Sequence, residues 1–383
     1  MTGPLHTTLG RRFDPQHNSL NALRLVLALL VIISHAWPLG GFGPDPAIGG
    51  LGLGGWAVAG FFAISGYLIT SSRMRSPFLP YMWRRFLRIF PGLWICLLVI
   101  VVVFAPIAAL MHAGPDGVDA PTGIAYLLTN GLFTHAQEGI GLTLRGVPFA
   151  NSWDGSLWTL RYEFACYILL GAVLSLALLR RRPGGLAVVF AACLVLTIMG
   201  FEDGIHLPAT LLWTAYLGTY FFAGSLLFVY ADKVRLDVAT IAVAVVWLAA
   251  AIWTDHVFTA AALPLAFLVM VLGTTLPLQR VGKHNDLSYG VYIYAFPVQQ
   301  LLVLAGAAKF GVWMFVVFGV VATIPFAAAS WFMVERPAMK LKRLPIESLR
   351  PAALGMRPRS RTVTESQLAT EAGSVSAPAP PAR

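Results

Sequence analysis

Apolar stretches broken by short polar segments recur along almost the whole chain. They fall at roughly 20–37, 56–72, 89–111, 159–179, 186–201, 210–230, 237–253, 258–276, 288–306 and 311–334. Several reach the ~20 residues that the hydrocarbon core of a bilayer demands of a helix. None shows the alternating, turn-punctuated pattern of a barrel strand, so each predicts a helix. The expected fold is all-α: a polytopic membrane helical bundle of about ten transmembrane helices, filling residues 20–340. Residues 1–19 form an N-terminal segment. The first stretch is not read as a cleaved signal, since it carries Arg24 and no A-x-A site follows it. Residues 112–158 form a long loop, of a length that is usually functional or holds short helices of its own. Residues 341–383 are rich in Pro, Ala, Ser and Arg and end in SAPAPPAR, which predicts a disordered tail.

Composition agrees. Of the 383 residues, 57% are hydrophobic and 11% charged, and the mean hydropathy is +0.73. That excludes an ordinary soluble domain. The net charge of +10 would suggest a nucleic-acid partner in a soluble protein, but its placement gives another reason. Arg11 and Arg12 precede the first stretch. Arg73, Arg75, Arg84, Arg85 and Arg88 lie between the second and third, Arg180–Arg182 after the fourth, and Lys233 and Arg235 after the sixth. Arg280 and Lys283 follow the eighth, and the group from Arg336 onward closes the tenth. With ten spans all of these share one side, and the other side holds only Arg145 and Lys309. The asymmetry predicts both termini in the cytoplasm and a place in the inner, cytoplasmic membrane, with no nucleic-acid partner. Cys96, Cys166 and Cys193 all fall in apolar stretches, with spacing that suits neither a metal site nor a disulfide framework.

Ionisable groups inside such stretches are costly, so each needs a reason. Arg24 and His35 are 11 positions apart. At ~100° and 1.5 Å per residue they share a helix face, about 16 Å apart along the axis. Snorkelling would explain Arg24 alone. The aligned pair favours a functional stripe. In YMWRRFLRIFPGLW, Arg85 and Arg88 share a face at the start of the third span. They either mark the cytoplasmic rim or clamp phosphate through bidentate guanidinium forks. In NSWDGSLWTLRYEFACY, Glu163 falls just inside the outer end of the fourth span, at a depth similar to that of His35. It either orients the imidazole or pairs with Arg161 and loop groups. LSYGVYIYAFPVQQ combines Tyr289 and Tyr292 with other polar side chains, partly as an aromatic belt. Glu335, Arg336 and Pro337 are expected to end the last helix.

Several signatures are missing. The sequence has no G-x-S-x-G elbow, phosphate-binding Walker loop, H-E-x-x-H or Cys/His ligand set, so no metal is expected. HAGPD has the wrong spacing for an H-x-x-x-x-D acyltransferase motif. His35 is the one histidine in an apolar stretch, so proton transfer within the membrane would have to use it.

Taken in order, LRLVLALLVIISHAWP, GGWAVAGFFAISGYLI, RRFLRIFPGLW, SLWTLRYEFACY, LSYGVYIYAFPV and VERP resemble the signatures of the acyltransferase family 3 integral membrane proteins. The resemblance covers about residues 17–340. It implies an O-acyltransferase that moves an acyl group, most commonly acetyl, from acetyl-CoA or another acyl-CoA to a carbohydrate or glycolipid hydroxyl, as in surface polysaccharides. One position departs: many members carry His before the Phe-Pro of the ninth span, where this chain has Ala295. On this reading His35, Glu163 and Arg24 are catalytic, and Arg85, Arg88 and Arg24 bind the donor. Trp153, Ser156, Trp158, Tyr289 and Tyr292 contact the acceptor. His35 would act as general base or as an acylated nucleophile, alternatives the sequence leaves open. The competing class is a non-enzymatic transporter using Arg24, His35 and Glu163 as a proton or substrate path. A weaker third reading is an acyltransferase for lipid or protein.

Overall fold

A computed structural model of the chain describes residues 7–343 apart from 114–116, 118, 135–136, 151 and 177–183. The longer helices are α1 Leu20–Gly40, α2 Leu53–Met74, α3 Phe78–Val99, α4 Ala120–Gly131, α5 Trp158–Val173 and α6 Gly184–Phe201. They continue with α7 Ala209–Val229, α8 Val238–Trp253, α9 Ala262–Thr275, α10 Ser288–Leu304 and α11 Val312–Ser330. Every apolar stretch read from the sequence coincides with one of these helices, and α4 lies within the long loop. Six are long and apolar enough to cross a bilayer: α1, α2, α3 with its extension to Met111, α6, α7, and α11 with its extension to Lys340. α8 and α9 are apolar but shorter. The proline-rich tail from 344 onward and Arg180–Arg182 lie outside the described residues.

Two helices run on past their regular turns. α3 continues through a π turn at Ile100–Phe104, a short helix at Ala105–Ala108 and a second π turn at Ala109–Ala113. α11 continues through a π turn at Trp331–Glu335 into Arg336–Lys340. The last helix therefore does not end at Glu335-Arg336-Pro337 as the sequence suggests. Pro337 falls in the first turn of the continuing segment, where its missing N–H is tolerated.

The bundle is built around α2, which packs against α1, α7 and α9, while α10 packs against α1 and α11. Small residues permit this closeness, as is general where apolar helices meet within a bilayer. A Cβ on Gly66 of α2 would lie 1.8 Å from the Phe221 carbonyl oxygen, and one on Gly224 of α7 would lie 2.0 Å from that of Ala63. The backbones touch at both points, so neither position admits a side chain.

The basic connections gather at one end of the bundle. Strand β1, Thr7–Thr8, pairs with a strand at Arg235–Leu236 beyond α7. The Ser19 hydroxyl donates to the Leu276 carbonyl, and the Asn21 amide to that of Gly282. Trp83, near the start of α3, donates to the Leu341 carbonyl. At the other end, strands Ala47–Ile48 and Leu51–Gly52 form a tight hairpin between α1 and α2. Its two turn residues, Gly49 and Gly50, have φ of 58° and 74°, a left-handed pair that favours glycine.

Candidate functional site

Three cavities lie along the face of α1 that carries Arg24 and His35. The first, of about 170 Å3, is at the basic end; Arg24, Ser65, Arg85, Arg88, Glu163 and Tyr289 are among its walls. The second is a constriction of about 30 Å3 that shares Arg24, Glu163 and Tyr289 with the first and adds Tyr292 and Val58. The third, of about 120 Å3, shares Val58 and Tyr292 with the constriction and is lined by Ser34, His35, Asp45, Ser156 and Trp158. The helical spacing that aligns Arg24 with His35 thus places them in chambers linked by common walls.

At the basic end Arg24 and Arg88 are already engaged. Arg24 Nη1 donates to Asp286 Oδ2 at 3.2 Å and Arg88 Nη2 to the same oxygen at 2.6 Å. Arg88 Nη1 lies 3.7 Å from the buried Glu335 carboxylate, which also accepts from Ser330. Burial alone would raise the pKa of Asp286, but Arg24, Arg88 and the hydrogen bonds from Ser288 outweigh it and hold it well below the ordinary carboxylate range. Arg85 lies over the Tyr167 ring at 5.8 Å, and its Nε is buried with no partner. Sequence reading missed Asp286, which is 262 positions from Arg24.

Glu163 belongs to this same end. It accepts from the Ser65 hydroxyl at 3.1 Å and the Tyr167 hydroxyl at 2.5 Å. It lines the first two cavities with Arg24 and is absent from the walls around His35. The similar depth expected for the two residues is not what the structure shows. The reason is the segment before α5: Ser152, Trp153, Asp154 and Ser156 are already buried in the bundle. The chain thus enters the core before its helix begins, and Glu163 sits deeper than counting from the helix start implies.

In the outer chamber the His35 ring packs edge-on to Phe296 at 5.1 Å, and its Nδ1 is buried without a hydrogen-bond partner. Ser34, the preceding residue on α1, accepts from the Gly54 N–H at 2.9 Å. Asp45, on the loop before the hairpin, was not singled out by the sequence. Burial raises its pKa, opposed by hydrogen bonds from Ser34 and the Gly54 and Leu53 backbone, and its Oδ1 is buried with no partner.

The segment before α5 closes the chamber. Asp154 Oδ1 accepts from the Ser156 hydroxyl at 2.5 Å and the Ser156 N–H at 3.0 Å, while Oδ2 has no partner. Burial pushes the Asp154 pKa up to about 8 against those two hydrogen bonds. Gly155 leaves room for Phe296, whose ring would be 2.8 Å from a Cβ there. Tyr292 is tied down by its hydroxyl, which donates to the Ser156 carbonyl at 2.7 Å and lies 2.6 Å from Thr159 Oγ1. Tyr289 donates to the Ile89 carbonyl at 2.7 Å. Of the five side chains expected at the acceptor, Ser156, Trp158 and Tyr292 line the outer chamber. Tyr289 lines the inner two, and Trp153 lines none of the three. Trp153 is fully buried in the loop, donating to Thr143 at 2.9 Å. Ala295 is buried within a small apolar cluster with Ala28, Ile32, Val291 and Ala327. The three cysteines are free and buried, and among the described residues no group of His, Cys, Asp or Glu gathers as a metal site.

Residues 17–332 match the acyltransferase domain family. The chain is 30% identical over 330 residues to an O-acetyl transferase of Shigella phage Sf6, covering 83% of this chain and 95% of the relative. It is also 30% identical over 358 residues to nodulation protein 10 of Rhizobium leguminosarum bv. viciae, covering 85% of this chain and 94% of that protein. No solved structure matches. With the family match spanning nearly all of the helical bundle, the chain belongs to the acyltransferase family that its motifs resemble, and it is an acyltransferase of the multi-pass membrane type.

Proposed function

We propose that the protein is an O-acetyltransferase that carries an acetyl group from acetyl-CoA, arriving at the basic end, to a carbohydrate hydroxyl in the outer chamber. The carrying observation is the run of three cavities with shared walls from Arg85 and Arg88 to His35. The basic end is assigned to the cytoplasm of an inner-membrane protein, as the placement of Lys and Arg favours. Arg24 and Arg88 are largely neutralised by Asp286 and Glu335, so the donor's phosphates meet Arg85 and a basic hollow of about 480 Å3 lined by Arg336, Lys340 and Lys342. The flexible thioester arm then reaches past Glu163 and Tyr289 toward His35. Glu163 belongs to the donor's path and holds its wall through Ser65 and Tyr167.

An unactivated hydroxyl is a poor nucleophile. His35 takes its proton as the oxygen attacks the thioester carbonyl carbon, a contribution typically of ~10²–10⁴-fold. The tetrahedral intermediate collapses with cleavage of the C–S bond, and the proton passes from the imidazolium to the departing thiolate. An acylated imidazole would lead to the same products in two steps, and both routes use His35.

The test is reconstitution in liposomes with radiolabelled acetyl-CoA and a crude glycan acceptor. Label should move to the glycan with release of one free thiol per acetyl group. The reading fails if the wild type releases no more thiol than His35→Ala protein inserted at the same level.

A further inference from the structure

Two buried polar atoms without partners, His35 Nδ1 and Asp45 Oδ1, belong to residues lining one chamber of about 120 Å3. Buried polar atoms are rarely left unmatched in a folded protein, and two side chains carrying such atoms in the wall of one void point to a ligand that engages both. The Asp45 carboxylate is also held in place. Its Oδ2 would be 2.1 Å from a Cβ on Gly52, so the glycine at the hairpin's end makes room for it. A Cβ on Gly54 would lie 2.7 Å from Ser34 Oγ and 3.8 Å from the same carboxylate oxygen. Ser34 of α1 and the two glycines at the start of α2, Gly52 and Gly54, therefore surround the Asp45 side chain. The void is close to the ~150 Å3 that admits a six-membered ring in other protein interiors.

We infer that Asp45 is a specificity-determining residue that accepts a hydrogen bond from a second hydroxyl of the acceptor, next to the one His35 deprotonates, so that the enzyme selects vicinal diols over isolated alcohols. This rests on the acetyl-transfer reading above and sharpens it. A monohydroxylated acceptor satisfies the imidazole and strands the carboxylate oxygen. An adjacent hydroxyl satisfies both. Losing a hydrogen bond to a charged acceptor in a dry site lowers affinity by roughly ten- to hundredfold.

The probes are trans-cyclohexane-1,2-diol and cyclohexanol, which share a ring and differ in the second hydroxyl. Acetyl transfer from labelled acetyl-CoA is measured for the wild type, Asp45→Asn and Gly52→Ala. The last keeps the carboxylate but displaces it. The wild type should favour the diol by tenfold or more in kcat/KM, and both variants should lose that preference through KM for the diol, with KM for acetyl-CoA unchanged. Thermal unfolding followed by tryptophan fluorescence identifies any variant that has not folded, and the other then decides. Equal use of both probes by the wild type, or use of neither, overturns the inference while transfer to the crude glycan keeps the acetyl-transfer reading intact. A preference retained in the folded variants overturns it as well. A wild type that transfers no label to any acceptor overturns both.

Discussion

Arg88, at the middle of α3, and Asp286, two residues before α10, are joined at 2.6 Å, and Arg24 of α1 shares the same carboxylate oxygen. One anion thus ties three helices together at the basic end. The guanidinium and carboxylate groups are 14–20% exposed, so water screens them only partly. Breaking such a pair leaves a charge without its counter-ion in a poorly solvated place.

Asp286→Asn should therefore destabilise the protein by about 3 kcal/mol. The pKa of Asp286 is depressed in the folded protein, so its contribution is complete above the ordinary carboxylate range and fades as pH falls toward the folded value. Thermal unfolding in detergent from pH 7 to pH 3 checks this. The wild type should lose stability below about pH 4, and the variant should lack that part of the drop.

Asp154 has the opposite sign. Its folded pKa of about 8 lies above that of an unfolded chain, so the folded state holds the proton more tightly. Stability should fall as pH rises from the ordinary carboxylate range to about 8 and level off beyond it. Asp154→Asn keeps the acceptor for Ser156 and removes the titration. Its melting temperature should exceed that of the wild type at pH 8, with the gap closing toward pH 4.

Gly66 and Gly224 give a steric prediction. Alanine at either position meets a backbone oxygen at 2.0 Å or less, and a backbone cannot swing aside as a side chain can. Gly66→Ala should cost about 3 kcal/mol or more, seen as loss of the monodisperse peak in size-exclusion chromatography. Alanine at Gly184, where a Cβ meets nothing within 4 Å, should be silent.

His35→Gln separates chemistry from folding. Because Nδ1 has no partner, the substitution breaks no hydrogen bond of that atom. Acetyl transfer should fall by ~10²–10⁴-fold, and the melting temperature should stay within the scatter of the wild type.

Much of the architecture was legible because a bilayer leaves the backbone so few options. Every apolar stretch became a helix, and the eleven-residue interval between Arg24 and His35 mapped onto linked cavities. Depth was less legible. Glu163 was placed by counting from the start of α5, but the buried Ser152–Ser156 segment carries the chain inward first, and the residue lines the same two cavities as Arg24. The partners of the charged groups were invisible for another reason. Asp286 and Asp45 lie in connections, where no periodicity says which way a side chain turns, and their contacts depend on elements remote in sequence. The continuation of α11 past Pro337 was hidden because a wide turn absorbs what would otherwise break the helix.

Tyr289 and Tyr292 lie three positions apart on α10; one borders the inner and middle cavities, the other the middle and outer. The walls that the constriction shares with the two chambers thus include a single face of a single rod. A twist of that rod would carry both tyrosines with it, so the wall toward one chamber cannot be moved in this way without moving the wall toward the other.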